Sequence, residues 1–289
     1  HPWRLNSILE VNPKLGATLA SRDPESMIID SGLYSFMFGT KKGQIEPTFE
    51  AYRDYTRSYL EILDRYGYRG MLVECDTHKL LGMDATHRLR EEFKPLGDRV
   101  IYTWHAPEGI DGLIELAKSK SYIALSVPEL RILGGGTAKS GKTESVFRLL
   151  EHVRRNVGPN NYPRIHLLGC TIPRLMETSL AWSCDSTSWI ATSMYGVGFM
   201  HHTPGKLERC EAIRGSTRNR ALSPAAQERA KRFDDWCAIV QSRYRLKIEP
   251  SATRRTNDLQ MLATAVAFAD YQQWLDKKIT PHPVKEYTL

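Results

Sequence analysis

Several features common in other protein classes are missing from these 289 residues. No long apolar run is present, which excludes a membrane-spanning helix of about 20 residues. No basic-then-apolar leader opens the chain, so nothing signals secretion. The five cysteines (Cys75, Cys170, Cys184, Cys210 and Cys237) are odd in number, scattered and without a CxxC pair. That pattern predicts reduced thiols in a cytoplasm-like compartment and disfavours a structural zinc site. Internal repeats and low-complexity tracts are absent as well.

The length, at 41% hydrophobic residues, allows a substantial core, either one α/β barrel or two ordinary domains. The net charge is +7, and it is unevenly placed. Residues 201–260 carry 13 Lys/Arg against 7 Asp/Glu, nearly the whole excess. A basic third on an otherwise balanced chain suits phosphate-backbone binding, or is simply a solvated face.

Short β-rich runs alternate with helical patterns. Ser26–Asp30 (SMIID) reads as a strand ending in an acid. A helix opened by Pro47 follows, with Phe49, Tyr52, Tyr59, Leu60 and Leu63 near the 3.6 period and Gly67 closing it. Further strands are expected at residues 70–76, 99–105, 122–127 and 164–169, with a strand end in 182–189. Helices are expected near 110–118, over 143–157, from Pro173, from Pro224 behind a Ser223 cap, and over 258–275. Such alternation implies a mostly parallel sheet covered by helices, and both a closed barrel and an open doubly wound sheet fit it. Residues 190–221 break the rhythm and read as a long functional loop.

Three strands end in carboxylates: Asp30, Asp76 and Asp185. In (β/α) barrels the active site lies at the carboxyl ends of the strands. An N-cap of the following segment is the plainer role for any one of these acids. Side chains alternate along a strand, so if Asp76 faces the pocket, Glu74 lies one layer deeper and needs a partner. Two other features carry chemistry of their own. Gly136–Thr143 (GTAKSGKT) matches the P-loop pattern, behind a thin strand at Leu130–Leu133. His201, His202 and Cys210 lack a fourth ligand for a metal site, and His105 reads as a satisfied core histidine.

The segments around the acids resemble the tRNA-guanine transglycosylase superfamily. IDSGLYSF (29–36) is similar to its Asp-Ser-Gly-Gly-Phe-Gln motif, and MLVECDT (71–77) to the strand that supplies a base-reading acid. HLLGCTIPRLMETSLAWSCDSTSW (166–189) is similar to the segment leading to its second catalytic Asp, with a shift of register placing Asp185 as nucleophile. The Asp-Ser-Thr-Ser-Trp version looks most like the phage and prokaryotic DNA-modifying branch, DpdA. The Cys/His zinc cluster of the RNA enzymes has no counterpart here.

This resemblance implies a single-domain (β/α)8 TIM-type barrel over residues 1–289, with a basic insertion at about 190–221. It implies exchange of guanine for a 7-deazaguanine by double displacement through a covalent Asp–sugar intermediate. Asp185 is then the nucleophile, Asp30 the acid/base, and Asp76 the reader of the purine edge. Ser31, Gly32, Tyr34, Ser126 and Gly169 are substrate-binding positions, with Phe36 a second stacking candidate. Arg214, Arg218, Arg220, Arg254 and Arg255 hold nucleic-acid phosphates. No metal ion or other cofactor is expected. The expected partners are DNA and the incoming base, with an accessory protein or a second copy left open and no membrane. The expected compartment is the cytoplasm, the host's if the chain is phage-encoded. The same chemistry on tRNA, a P-loop nucleotide-binding protein and a non-catalytic nucleic-acid-binding barrel stay as alternatives.

The charge distribution generates the first prediction. DNA affinity should fall steeply with salt, and neutralising the five arginines in pairs should flatten that slope by roughly one unit per lost phosphate contact. Binding isotherms over a salt series check it, and an unchanged slope after removing all five leaves only a solvated face.

Overall fold

The computed structural model describes residues 4–13, 16, 26–37, 39, 41–133, 139–170, 172–186, 199–203, 206–210 and 254–284, with ten isolated positions between 224 and 245. The chain divides into two compact units. The first comprises His1–Leu168, Leu180–Ser183 and His282–Leu289, the second Gly169–Ser179 and Cys184–Pro281. No helix among the described residues is long and apolar enough to cross a membrane.

The first unit is built on parallel strands β1 (Arg4–Ser7), β2 (Met27–Asp30), β3 (Met71–Val73), β4 (Val100–Trp104), β5 (Tyr122–Ser126) and β6 (Arg164–Leu168). They lie in chain order, each hydrogen-bonded to the next, with the two-residue β7 (Ser183–Cys184) last. A doubly wound sheet reverses its strand order at a switch point, and this one does not. The sheet is therefore singly wound and curls into a half-barrel. The strands are nearly continuous apolar runs because a parallel sheet under helices is buried on both faces. All five residues of β4 are buried, as are the first four of β5.

Helices α1 (Leu33–Met37), α2 (Phe49–Arg65), α3 (His78–Phe93), α4 (Gly109–Ser119), α5 (Val127–Leu133) and α6 (Lys139–Val157) connect them. In α2 the Thr48 hydroxyl caps the Ala51 amide at 3.3 Å, and Tyr52, Thr56, Tyr59 and Leu63 form the buried stripe. Gly67, at φ +63°, ends the helix as expected. The helix then ties two strands together. The Tyr59 hydroxyl lies 2.9 Å from the Ile29 carbonyl oxygen and 3.2 Å from that of Val73. Tyr68 does the same one layer down, at the Met27 and Met71 carbonyls.

A buried ion pair fixes the next strand pair. Glu74 is 1% exposed, and Arg90 of α3 grips it bidentately at 2.9 and 3.0 Å. The Thr103 amide of β4 donates to the same carboxylate at 2.8 Å, while Arg90 donates to the Thr103 carbonyl and to Glu108. Glu74 is thus the deeper, partnered acid that strand alternation predicts.

In the second unit, α7 (Pro173–Met176) starts at Pro173 as predicted, and α8 (Arg254–Lys278) extends beyond the expected 258–275. Tyr271 and Leu275 of α8 are buried among Met176, Phe268 and Trp274, and the Tyr271 hydroxyl donates to the Glu177 carboxylate. Strands β8 (Phe199–Thr203) and β9 (Lys206–Cys210) form an antiparallel hairpin, which corrects the reading of residues 190–221 as loop throughout. Cross-strand pairing sustains it where the sequence shows little apolar alternation. Residues 190–198, 204–205 and 211–221 lie outside the described residues.

Three further elements differ from expectation. β1 and α3 were not predicted: β1 is only four residues long, and α3 is interrupted by Gly82 at φ +81°. The thin strand expected at Leu130–Leu133 belongs instead to helix α5. A P-loop follows a strand, so the Gly136–Thr143 motif loses its frame here. Residues 136–138 lie outside the described residues, and Gly141 and Lys142 fall inside α6.

Removing one partner of a buried ion pair strands the other charge, at a cost of about 3–5 kcal/mol. Arg90→Met should lower unfolding stability by about that amount. Adding Glu74→Gln, which discharges the acid but keeps an acceptor for the Thr103 amide, should recover most of the loss. Urea unfolding of the two variants checks both expectations.

Candidate functional site

Past the end of β3 the chain runs Glu74-Cys75-Asp76-Thr77 before α3 begins. Buried Thr77 and Thr86, hydroxyl oxygens 3.1 Å apart, anchor that start. Asp76 has a side chain 34% exposed, against 1% for Glu74. Its Oδ1 faces the His78 amide at 3.3 Å, His78 Nδ1 at 2.6 Å and His105 Nε2 at 3.4 Å. His105 follows β4, and its ring stacks on that of His78 with centroids 3.9 Å apart. The other nitrogen of His78, Nε2, lies 3.5 Å from Oε1 of Glu129, at the start of α5. Three adjacent strand ends thus bring two carboxylates and two imidazoles together.

The electrostatics are sharply divided. Burial works against a charge on His78, but the hydrogen bonds and negative charges of Asp76 and Glu129 outweigh it and raise its pKa to about 9. Burial lowers His105 to about 4, helped by the His78 charge and opposed by Asp76. A charge on one stacked imidazole disfavours a charge on the other, and here the one between the carboxylates takes the first proton. Asp76 is held below the ordinary carboxylate range: burial is overcome by the His78 hydrogen bond and the two imidazoles. Near neutral pH the site is an imidazolium between two carboxylates, over a neutral ring.

His105 is not the satisfied core histidine that was expected. It is fully buried, yet neither Nδ1 nor Nε2 makes a hydrogen bond. An unpaired buried polar group costs about 1–3 kcal/mol, so it calls for an explanation. His78 and Glu129 were not anticipated at all. The legible signal was Asp76-x-His78 past one strand with His105 past the next.

The other expected positions fall as follows. Asp30 ends β2, half-buried, and its Oδ2 accepts from the Gly32 amide at 2.9 Å. Ser31 is buried, its carbonyl accepting from the Tyr55 hydroxyl. Gly32 has φ +70°, and a Cβ there would sit 2.6 Å from the Ser7 hydroxyl oxygen and 2.8 Å from Leu9 Cγ, so glycine is required twice over. Tyr34 is 70% exposed, while Phe36 packs edge-on against Tyr55 at 5.2 Å. Ser126 accepts from the Glu129 amide at 3.4 Å, holding the start of α5.

In the second unit Gly169, at φ +67°, donates its amide to Asp185 Oδ1 at 3.3 Å, and the Cys170 amide donates to the Asp185 carbonyl. Arg214, Arg218 and Arg220 lie outside the described residues. Arg254 and Arg255 open α8, with side chains outside the description, as are those of His201, His202 and Cys210 in the hairpin. A cavity of about 470 Å³ between α3 and α4, lined by Arg90, Tyr102, Glu108 and Lys120 among others, contains none of the strand-end aspartates. No protein-family model matches the chain, and no curated protein matches it.

The divided histidines give a titration with a definite sign. His78, raised from 6.5 to about 9, contributes stability that is full below about pH 6.5 and lost as pH rises through 9. His105, lowered to about 4, disfavours folding progressively as pH falls from 6.5 through 4. In EDTA-treated protein, NMR should show one imidazole titrating near 9 and another near 4. Asp76→Asn should bring the higher value down toward the ordinary one.

Proposed function

We propose that this chain is a base-exchange glycosyltransferase that replaces guanine in DNA with a 7-deazaguanine, on a sheet that closes into a (β/α)8 barrel. The observation that favours it is the state of Asp76. Its Oδ1 is hydrogen-bonded by His78 and only faces His105 Nε2 at 3.4 Å, it is kept ionised, and its Oδ2 has no partner among the described residues. An acceptor-only carboxylate, partly open at a strand end, suits the N1–H and exocyclic amine of a guanine-type edge. A purine in duplex DNA reaches such a site only by leaving the stack.

The chemistry follows a retaining double displacement. Asp185 attacks C1′ as the N9–C1′ bond breaks, and Asp30 delivers a proton to the departing guanine. The incoming base then gives its N9 proton to Asp30 and attacks C1′, releasing the Asp185 carboxylate. The Gly169 amide donates to Asp185 Oδ1 at 3.3 Å and so holds the carboxylate in place. Asp30 follows three apolar residues and alternates between its two protonation states.

Incubated with DNA and no incoming base, the protein should form an adduct that survives denaturation. Asp185→Asn should abolish it while DNA binding persists, and Asp30→Asn should slow it by about 10²–10⁴-fold. Mass spectrometry of nucleosides after adding 7-deazaguanine bases identifies the product. Exchange at the wild-type rate by Asp185→Asn would overturn the assignment.

A further inference from the structure

We propose that Asp76, His78 and His105 bind one divalent first-row transition-metal ion of the zinc class, through Asp76 Oδ1, His78 Nδ1 and His105 Nε2. This does not rest on the base-exchange reading, and it goes against the expectation of no metal drawn from cysteine spacing. The ligand atoms of the three residues lie within 4.8 Å of one another. Two nitrogens bonded to one ion at about 2.0–2.1 Å sit roughly 3.0–3.5 Å apart. The separation of Asp76 Oδ1 from His105 Nε2 is already 3.4 Å, and that from His78 Nδ1 is 2.6 Å.

The second observation is the orphaned His105. His105 is fully buried with no hydrogen bond at either ring nitrogen, and coordination through Nε2 would give that nitrogen a partner. The third is Glu129. A metal-bound histidine usually donates its other ring N–H to a carboxylate, and His78 Nε2 faces Glu129 Oε1 at 3.5 Å. Without the ion, a proton shared by His78 Nδ1 and Asp76 Oδ1 occupies its place, so binding exchanges a proton for a metal. The stacked rings then fan apart to point at a common centre.

Two imidazoles and one carboxylate favour zinc, iron or cobalt over magnesium or calcium, which prefer all-oxygen sites. Three protein ligands leave at least one position open to water or substrate, as in catalytic rather than structural centres. Asp76 Oδ2 stays available, so ion and base can be held by opposite oxygens of one carboxylate.

The test uses the full chain after EDTA dialysis, with Zn²⁺ titrated calorimetrically and Co²⁺ by visible absorption. One ion per chain is expected, with Co²⁺ bands of low-coordinate nitrogen and oxygen ligation. Asp76→Asn, His78→Gln and His105→Gln should each weaken binding at least 100-fold, and Glu129→Gln about 10–100-fold, as loss of an outer carboxylate does. The double substitution His201→Ala, His202→Ala should leave binding unchanged. NMR signals of His78 and His105 should shift or broaden with the ion, a readout that stands if a variant misfolds. Absence of binding, binding that survives both His78→Gln and His105→Gln, or loss only in the His201/His202 variant would overturn the proposal. None of these readouts involves base exchange, so the two proposals fail separately.

Discussion

The carboxylate of Glu74 sits inside the sheet, and the surrounding structure is arranged to keep it there. A buried charge without partners is too costly to persist, so Arg90 comes in from α3 and the Thr103 amide from β4. Arg90 extends the network to Glu108, which in turn accepts from the amide of His105. One ion pair therefore fixes the exit of β3, the pitch of α3 and the exit of β4. Those exits carry Asp76 and His105. The geometry of the candidate site is inherited from a charge pair one layer beneath it.

The two acids of β3 show how position divides labour between identical chemical groups. Glu74 is buried and accepts three hydrogen bonds, two from Arg90 and one from the Thr103 amide. Asp76, two residues on, keeps one oxygen open and a side chain partly in solvent. Its negative charge raises His78, and the His78 charge helps to depress His105. The result is a compact set of groups in different protonation states at one pH, the condition for either proton chemistry or metal capture.

Each unit also contains a glycine of positive φ whose amide binds an aspartate. Gly32 binds Asp30 two residues back, and Gly169 binds Asp185 sixteen residues ahead. A side chain at Gly32 would collide with Ser7 and Leu9, so the close approach of β1 to this turn depends on the missing Cβ. The first contact closes a local turn, and the second joins residues sixteen positions apart.

What the sequence determined alone is what short-range forces control. The apolar runs of β2, β4, β5 and β6 are legible because strands buried on both faces need no partner to betray them. Helix α2 is legible because its cap, stripe and closing glycine lie within twenty residues of one another. The strand-end acids follow from the same reading. Tertiary structure decided the rest. The singly wound strand order is a matter of pairing between segments dozens of residues apart, and periodicity is blind to it. So are the stranding of His105 and the contact of His78 with Glu129 across 51 positions. Each depends on which groups reach one another in the folded chain, and desolvation, which sets their charge, exists only once they do.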